Sequence, residues 1–185
     1  VPGLHNVYNA LAAVAVGLDL EMDFAVIRDA LAEFGGVDRR FQVRGEAGQV
    51  MVVDDYGHHP AEIQATLNAA KGGFGRRLIV CFQPHRYTRT RALLQEFSTA
   101  FYQADVLLVT EIYPAGEAPL PGVSGKQIAD GVAEHGHRAV TFVPEKADLA
   151  QAALEAARPG DMIITLGAGD VWRVGEEILR RLEGA

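Results

Sequence analysis

Two short stretches gather most of the side chains able to do chemistry. DDYGHHP, residues 54–60, sets two carboxylates, a phenol and two imidazoles ahead of a proline, and HRYTRTR, residues 85–91, sets an imidazole among three guanidinium groups. Each follows an apolar, β-rich run and precedes a helical pattern, so each stands where a strand ends and a helix begins. A helix start favours negative charge, because its free N–H groups and macrodipole both point positive. His85, Arg86, Arg89 and Arg91 at such a start therefore point to a bound carboxylate or phosphate. The competing reading pairs them with acids of neighbouring strand ends, such as Asp55 or Glu111, or turns them into water. In DDYGHHP, Asp55 can cap the next helix with Pro60 at or near its first position, which leaves Tyr56 and His58 without a structural reason. Adjacent histidines point apart, and no cysteine or H-x₃-H spacing accompanies them, which speaks against a metal.

Two further stretches carry weaker signals. HNVYNA, residues 5–10, puts Asn6 and Asn9 three apart on one helical face. Paired carboxamides can exchange hydrogen bonds with a purine edge, although solvated asparagines are the commoner outcome near a helix start. GAGD, residues 167–170, follows a strand and precedes a helix, but Trp172 stands where G-x-G-x-x-G needs its third glycine, so a tight turn with its backbone near a ligand is expected rather than a dinucleotide site.

The elements that must position these residues follow from periodicity. Leu4, Val7, Leu11, Val14 and Leu18 mark an amphipathic helix, and a second runs over about 23–34 from an Asp23 N-cap to a Gly35-Gly36 stop. FQVRGEAGQVMVVDD reads as a β-hairpin, with a boundary near residues 37–40. Beyond it β-rich runs alternate with helices expected at 60–71, 89–103, 124–135, 146–157 and 171–182. That alternation predicts an α/β fold: a mostly parallel, roughly six-stranded, Rossmann-like sheet with helices on both faces, preceded by the two helices. Ligands of such sheets collect at the carboxyl ends of the strands, where DDYGHHP, HRYTRTR, the loop EIYPAGEAPLPGVSG and GAGD all fall.

Composition narrows the class. The 185 residues are 49% apolar, ample for a core. Seventeen Lys and Arg against 24 Asp and Glu give a net charge of −7, which argues against a general nucleic-acid or membrane-surface binder. The single cysteine, Cys81, sits inside the apolar run LIVCF, so no disulfide framework exists and a reducing cytoplasm is expected. The opening stretch lacks the basic start of a targeting peptide and no methionine precedes Val1, so Val1 is read as a cut.

Together these stretches resemble the Mur ligase family, ATP-dependent amide-forming enzymes of bacterial peptidoglycan synthesis. HNVYNA is similar to the end of the family's central ATPase domain, RRFQVRG to the start of its C-terminal domain, and DDYGHHP to that domain's first strand end. The combination of DDYGHHP, FQPHRYTRTR and YPAGEAP is similar to the branch that joins L-alanine to UDP-N-acetylmuramate. The resemblance implies that residues 1–38 close the central domain and 39–185 form the C-terminal domain. The missing N-terminal and central domains are then partners from the same chain. They would hold the phosphate loop, the magnesium ligands, a modified lysine and the UDP-binding domain, so the isolated chain is expected not to turn over. ATP and Mg2+ are the implied cofactors, with no nucleic acid and no membrane insertion.

The implied reaction phosphorylates the lactyl carboxylate of UDP-N-acetylmuramate, after which the amine of L-alanine attacks the acyl phosphate and phosphate leaves. The resemblance assigns Asn6 and Asn9 to adenine, Arg40 to the ATP phosphates and Asp55 to the ribose hydroxyls. It puts Tyr56, His58, Arg86 and Arg89 at the amino-acid end of the substrate, with His58, Arg86 and Arg89 as the catalytic set. Paired guanidinium groups suit the carboxylate of a zwitterion, and a neutral imidazole suits its amine. Two alternatives stay open: a related ligase that recycles muropeptides, which should lack HRYTRTR, and a non-catalytic anion- or nucleotide-binding module.

Overall fold

The computed structural model describes residues 3–184. Val1 and Pro2, read above as a cut and a lead-in to the first helix, lie outside them. Helix α1 spans Leu4–Asp19 and α2 spans Phe24–Glu33, with the Asp23 carboxylate accepting from the Ala25 N–H at 2.7 Å as the expected cap. The two helices approach closely at Gly17, where a Cβ would stand 2.7 Å from Ile27 Cδ1. The leucine stripe of α1 does not face inward: Leu4 and Leu11 are 67% and 57% exposed. Its small and polar residues, Asn6, Asn9, Ala10 and Ala13, turn toward the rest of the molecule instead.

Strands β1 (Gln42–Ala47) and β2 (Val50–Asp55) pair antiparallel across Gly48-Gln49, both at positive φ (55° and 61°), the two-residue turn that matches strand twist. The chain continues through α3 (Pro60–Phe74), β3 (Leu78–Phe82), α4 (Tyr87–Ala92), α5 (Leu94–Ser98) and β4 (Val106–Val109). It ends with α6 (Gly125–Glu134), β5 (Val140–Phe142), α7 (Lys146–Ala156), β6 (Met162–Leu166) and α8 (Trp172–Glu183). The six strands lie in the order β1-β2-β6-β3-β4-β5, and all pairs but the first are parallel, as the alternation of runs predicts.

The sheet separates two apolar layers. On one face Ile63 and Leu67 of α3, Phe97 of α5, Phe101, and Ile128 and Val132 of α6 close over Val53, Val80, Phe82 and Ile164. On the other, Leu149 and Ala153 of α7 and Val174 and Ile178 of α8 close over Val52, Ile79, Cys81 and Ile163. β3 and β6 are buried along their whole length, so neither alternates in sequence.

One expected helix divides. The stretch 89–103 forms α4 and α5 with a break at Leu93 (φ −116°, ψ 22°), and α5 stops at Ser98. Ser98 Oγ bonds back to Leu94 O at 2.9 Å and packs where a Cβ on Gly131 of α6 would stand only 2.3 Å away. Close seating on α6 and a back-bonded serine bend the chain there.

Candidate functional site

Two neighbouring regions occupy the carboxyl end of the sheet near β2. The first is a cavity of about 1090 Å³ between α1, α2 and α3. Asn6, Asn9, Arg40 and Asp55 all line it, together with Phe34, Glu62 and Thr66, so three stretches far apart in sequence share one cavity. Asn9 Nδ2 donates to Asn6 Oδ1 at 3.4 Å, and Asn6 Nδ2 lies 3.0 Å from His5 Nε2. The Arg40 guanidinium is half exposed, 3.8 Å from Glu62 Oε1. Asp55 is nearly buried, and its two oxygens accept from Phe41 N and Gly57 N, both at 2.7 Å. Desolvation raises its carboxyl above the ordinary value, while those N–H groups, Thr66 and Arg40 pull the other way.

Asp55 is therefore not the helix cap that sequence spacing allowed. His59 caps α3, with its ring accepting from Ala61 N at 3.4 Å, Glu62 returning the bond to His59 N at 3.1 Å, and Pro60 opening the helix. The Asp55 carboxylate instead turns back toward Phe41, and so fixes the segment that carries Arg40.

The second region is a row of rings across the ends of β2, β3 and β4. Tyr56 and His58 meet edge to face at 5.4 Å, His58 and His85 tilt at 5.7 Å, and His85 stacks on Tyr113 at 5.5 Å with 8° between planes. The guanidinium carbons of Arg39 and Arg40 stand 5.1 and 5.7 Å from the Tyr56 ring centre. Arg89 Nη1 donates to His85 O at 3.2 Å and lies 3.3 Å from His85 Nδ1. Since a guanidinium only donates, His85 Nδ1 accepts and its proton sits on Nε2. Desolvation, aided by Arg89, His58 and Arg86, holds His85 below the ordinary imidazole value, against a smaller opposing pull from Glu117. His85 is thus a neutral ring among cations.

Sequence reasoning placed the arginines of HRYTRTR at a helix start, and only Arg86 keeps that position. It is the N-cap of α4, while Arg89 and Arg91 fall in the last turn of this six-residue helix, where positive charge is favoured. Arg86 holds a backbone conformation rare for an L residue, φ 73° and ψ 134°, with its N–H on Tyr113 O at 2.9 Å and its carbonyl on Thr90. Among the described residues neither Arg86 nor Arg89 forms an ion pair. Asp55 is occupied as above, and Glu111 Oε2 accepts from Ile112 N and Gly125 N, so the competing pairing of these arginines with acids at strand ends does not occur.

The residue that sequence reasoning passed over is Arg39. Its guanidinium donates to Asp54 Oδ2 at 2.8 Å, Gly167 O at 2.6 Å and Gly169 O at 3.1 Å. GAGD thus presents carbonyls to an arginine, and a Cβ on Gly169 would come within 2.6 Å of Gln83 Oε1. The backbone approach expected of that turn is to Arg39 and Gln83. A tandem arginine before Phe41 gives no sign of which member is tied down, so only the pairing with Asp54 could have revealed it.

The model for the family "Mur ligase, glutamate ligase domain" matches residues 39–169. The chain belongs to the Mur ligase family. It is 53% identical over 184 residues to the UDP-N-acetylmuramate–L-alanine ligase of Geotalea uraniireducens, covering 100% of this chain and 40% of that one. Among solved structures it superposes on the UDP-N-acetylmuramate-alanine ligase of Thermotoga maritima with a TM-score of 0.83 at 33% identity, covering 100% of this chain and 39% of that one. It also superposes on a murein peptide ligase from Psychrobacter arcticus with a TM-score of 0.74 at 26% identity, covering 99% and 38%. The chain thus spans about 40% of the length of the curated relatives that it matches. Within this Mur ligase fold the described residues contain no helix long and apolar enough to cross a membrane.

Proposed function

We propose that the chain supplies the nucleotide wall and the amino-acid grip of a UDP-N-acetylmuramate–L-alanine ligase, acting with ATP in peptidoglycan synthesis in the cytoplasm. Glu62 carries the reading. It lines the cavity of Asn6, Asn9, Arg40 and Asp55, and its Oε2 accepts from His58 N at 3.0 Å and lies 3.6 Å from His58 Nδ1. One carboxylate joins the wall of a cavity roomy enough for a nucleotide to a ring row with unpaired cations.

In this reading Asn6 and Asn9 meet the adenine edge, Asp55 faces the ribose hydroxyls and Arg40 reaches the phosphates. The two N–H groups and the Thr66 hydroxyl take three of the roughly four acceptor positions of Asp55, which leaves room for a ribose hydroxyl. Arg86 and Arg89 take the L-alanine carboxylate, leaving its nitrogen toward the rings. His58 Nδ1 lies 3.0 Å from Tyr56 O, and a carbonyl only accepts, so the neutral ring carries its proton on Nδ1 and offers the Nε2 lone pair. That lone pair can take a proton from the alanine ammonium. The freed amine attacks the acyl phosphate carbon, and collapse of the tetrahedral adduct breaks the carbon–oxygen bond to phosphate. Magnesium and the phosphate loop are proposed to lie outside these 185 residues, which contain no G-x-x-G-K-[ST] sequence, so these residues alone should not turn over.

The test is phosphate release and amide formation by the intact enzyme with ATP, UDP-N-acetylmuramate and either L-alanine or an L-alanine-initiated peptide. Ligation of L-alanine in preference to the peptide is expected. Preference for the peptide would favour a recycling ligase, and absence of any phosphate release would favour a binding module.

A further inference from the structure

The loop after β4 carries YPAGEAP, a stretch to which the reaction above gives no task. In the fold this loop lies on HRYTRTR. His85 and Tyr113 form a parallel bridge beyond the ends of β3 and β4, with Tyr113 N donating to Pro84 O at 2.8 Å and Arg86 N to Tyr113 O at 2.9 Å. Helix α4 has no side-chain cap of its own, because Arg86 stands at its N-cap position. Glu117 provides one from the loop: Oε2 accepts from Thr88 N at 3.0 Å and Oε1 from Thr88 Oγ1 at 2.6 Å. Those bonds hold its carboxyl below the ordinary range.

We infer that Glu117 is a positioning residue for the amino-acid half of the site, capping α4 across the loop so that Arg86 and Arg89 stand ready for a carboxylate. The inference rests on the proposed grip of L-alanine by those arginines. A six-residue helix cannot hold its own first turn, and its N-cap residue Arg86 is in a strained conformation. Two bonds to Thr88, the Arg86–Tyr113 bond and the His85–Tyr113 stack together fix the segment 85–89 from outside. Glu117 feels the Arg86 charge, which helps hold its carboxyl low, yet among the described residues the two form no ion pair, so the guanidinium keeps its donors for a carboxylate.

The experiment measures steady-state kinetics of the intact ligase. Glu117→Ala should raise KM for L-alanine on the order of tenfold, the effect of losing a helix cap, while KM for ATP and kcat at saturating alanine stay near wild type. Glu117→Gln keeps acceptor oxygen for Thr88 and should recover most of the loss. A purely structural role would lower the active fraction, and so kcat, while leaving every KM alone. Unchanged KM for L-alanine in Glu117→Ala overturns the inference, as does failure of Glu117→Gln to recover. Arg89→Ala run alongside separates the two failures: if it too leaves KM for L-alanine unchanged, the proposed grip falls with the inference, and if it raises that KM, only the role of Glu117 falls.

Discussion

Arg39 and Asp54 form a 2.8 Å ion pair at the end of β2, with the carboxylate only 1% exposed and its other oxygen accepting from Thr165 Oγ1 at 2.7 Å. The same guanidinium holds two carbonyls of the turn after β6. Three elements are therefore tied at one point, directly beside Arg40. Removing one partner leaves the other charge buried and unpaired, so Arg39→Ala or Asp54→Ala should cost about 3–5 kcal/mol of unfolding free energy. Arg39→Lys should recover only part, since an ammonium cannot span three acceptors in this planar arrangement. Urea unfolding of the intact enzyme measures this, and wild-type midpoints for the alanine variants would contradict it.

Arg86 supplies a different prediction, because its φ of 73° suits glycine. Arg86→Gly should be roughly 1 kcal/mol more stable than Arg86→Ala, net of the extra freedom glycine brings to the unfolded chain. Both should lose alanine binding alike. A thermal melt in which the glycine variant is the weaker would show that the conformation is not strained.

His85 gives a pH dependence whose sign is fixed by its surroundings. Burial first, then Arg89 and its other cationic neighbours, hold the imidazole below the ordinary 6.5. The folded protein therefore binds that proton less readily than the unfolded chain. Stability is fully present above about pH 6.5 and is lost as pH falls through the folded value. Asp55 acts oppositely: raised by desolvation above the ordinary 3.8, it favours the fold at low pH and gives that up as pH rises through its folded value. His85→Gln should flatten the loss of stability between about pH 7 and about pH 5. A steeper loss in the variant would reverse the assignment.

Much of this architecture was written in local pattern. The hairpin was legible because Gly48-Gln49 sits between two β-rich runs, and the parallel strands because VMVV, LIVCF and MIITL are short and nearly continuously apolar. The gathering of polar residues at strand ends followed from the topology. What stayed hidden depends on contacts across the fold. By residue type Asp55 is the natural cap, and only the return of the chain through Phe41, which takes its carboxylate, leaves the role to His59. The early stop at Ser98 of the helix expected over 89–103 depends on how Ser98 meets Gly131. The outward leucines of α1 defeated the usual inside rule because the inner face of that helix borders a cavity. YPAGEAP was noticed as a motif, yet its contact with Thr88 across 29 residues left no local trace.

The central claim is that one sheet end serves two ligands through separate residues that share the Glu62 wall. A kinetic split in the intact ligase tests it most directly, with KM for ATP and KM for L-alanine measured on Asn9→Ala, Arg86→Ala and Arg89→Ala. The account predicts that Asn9→Ala raises KM for ATP and spares L-alanine. Arg86→Ala and Arg89→Ala should each lose about 2 kcal/mol or more in kcat/KM for L-alanine while KM for ATP barely moves. Arg89→Ala should also melt slightly lower, since it gives up its bonds to His85. Arginine variants with wild-type alanine kinetics, or an asparagine variant that changes alanine binding and leaves ATP alone, would contradict it.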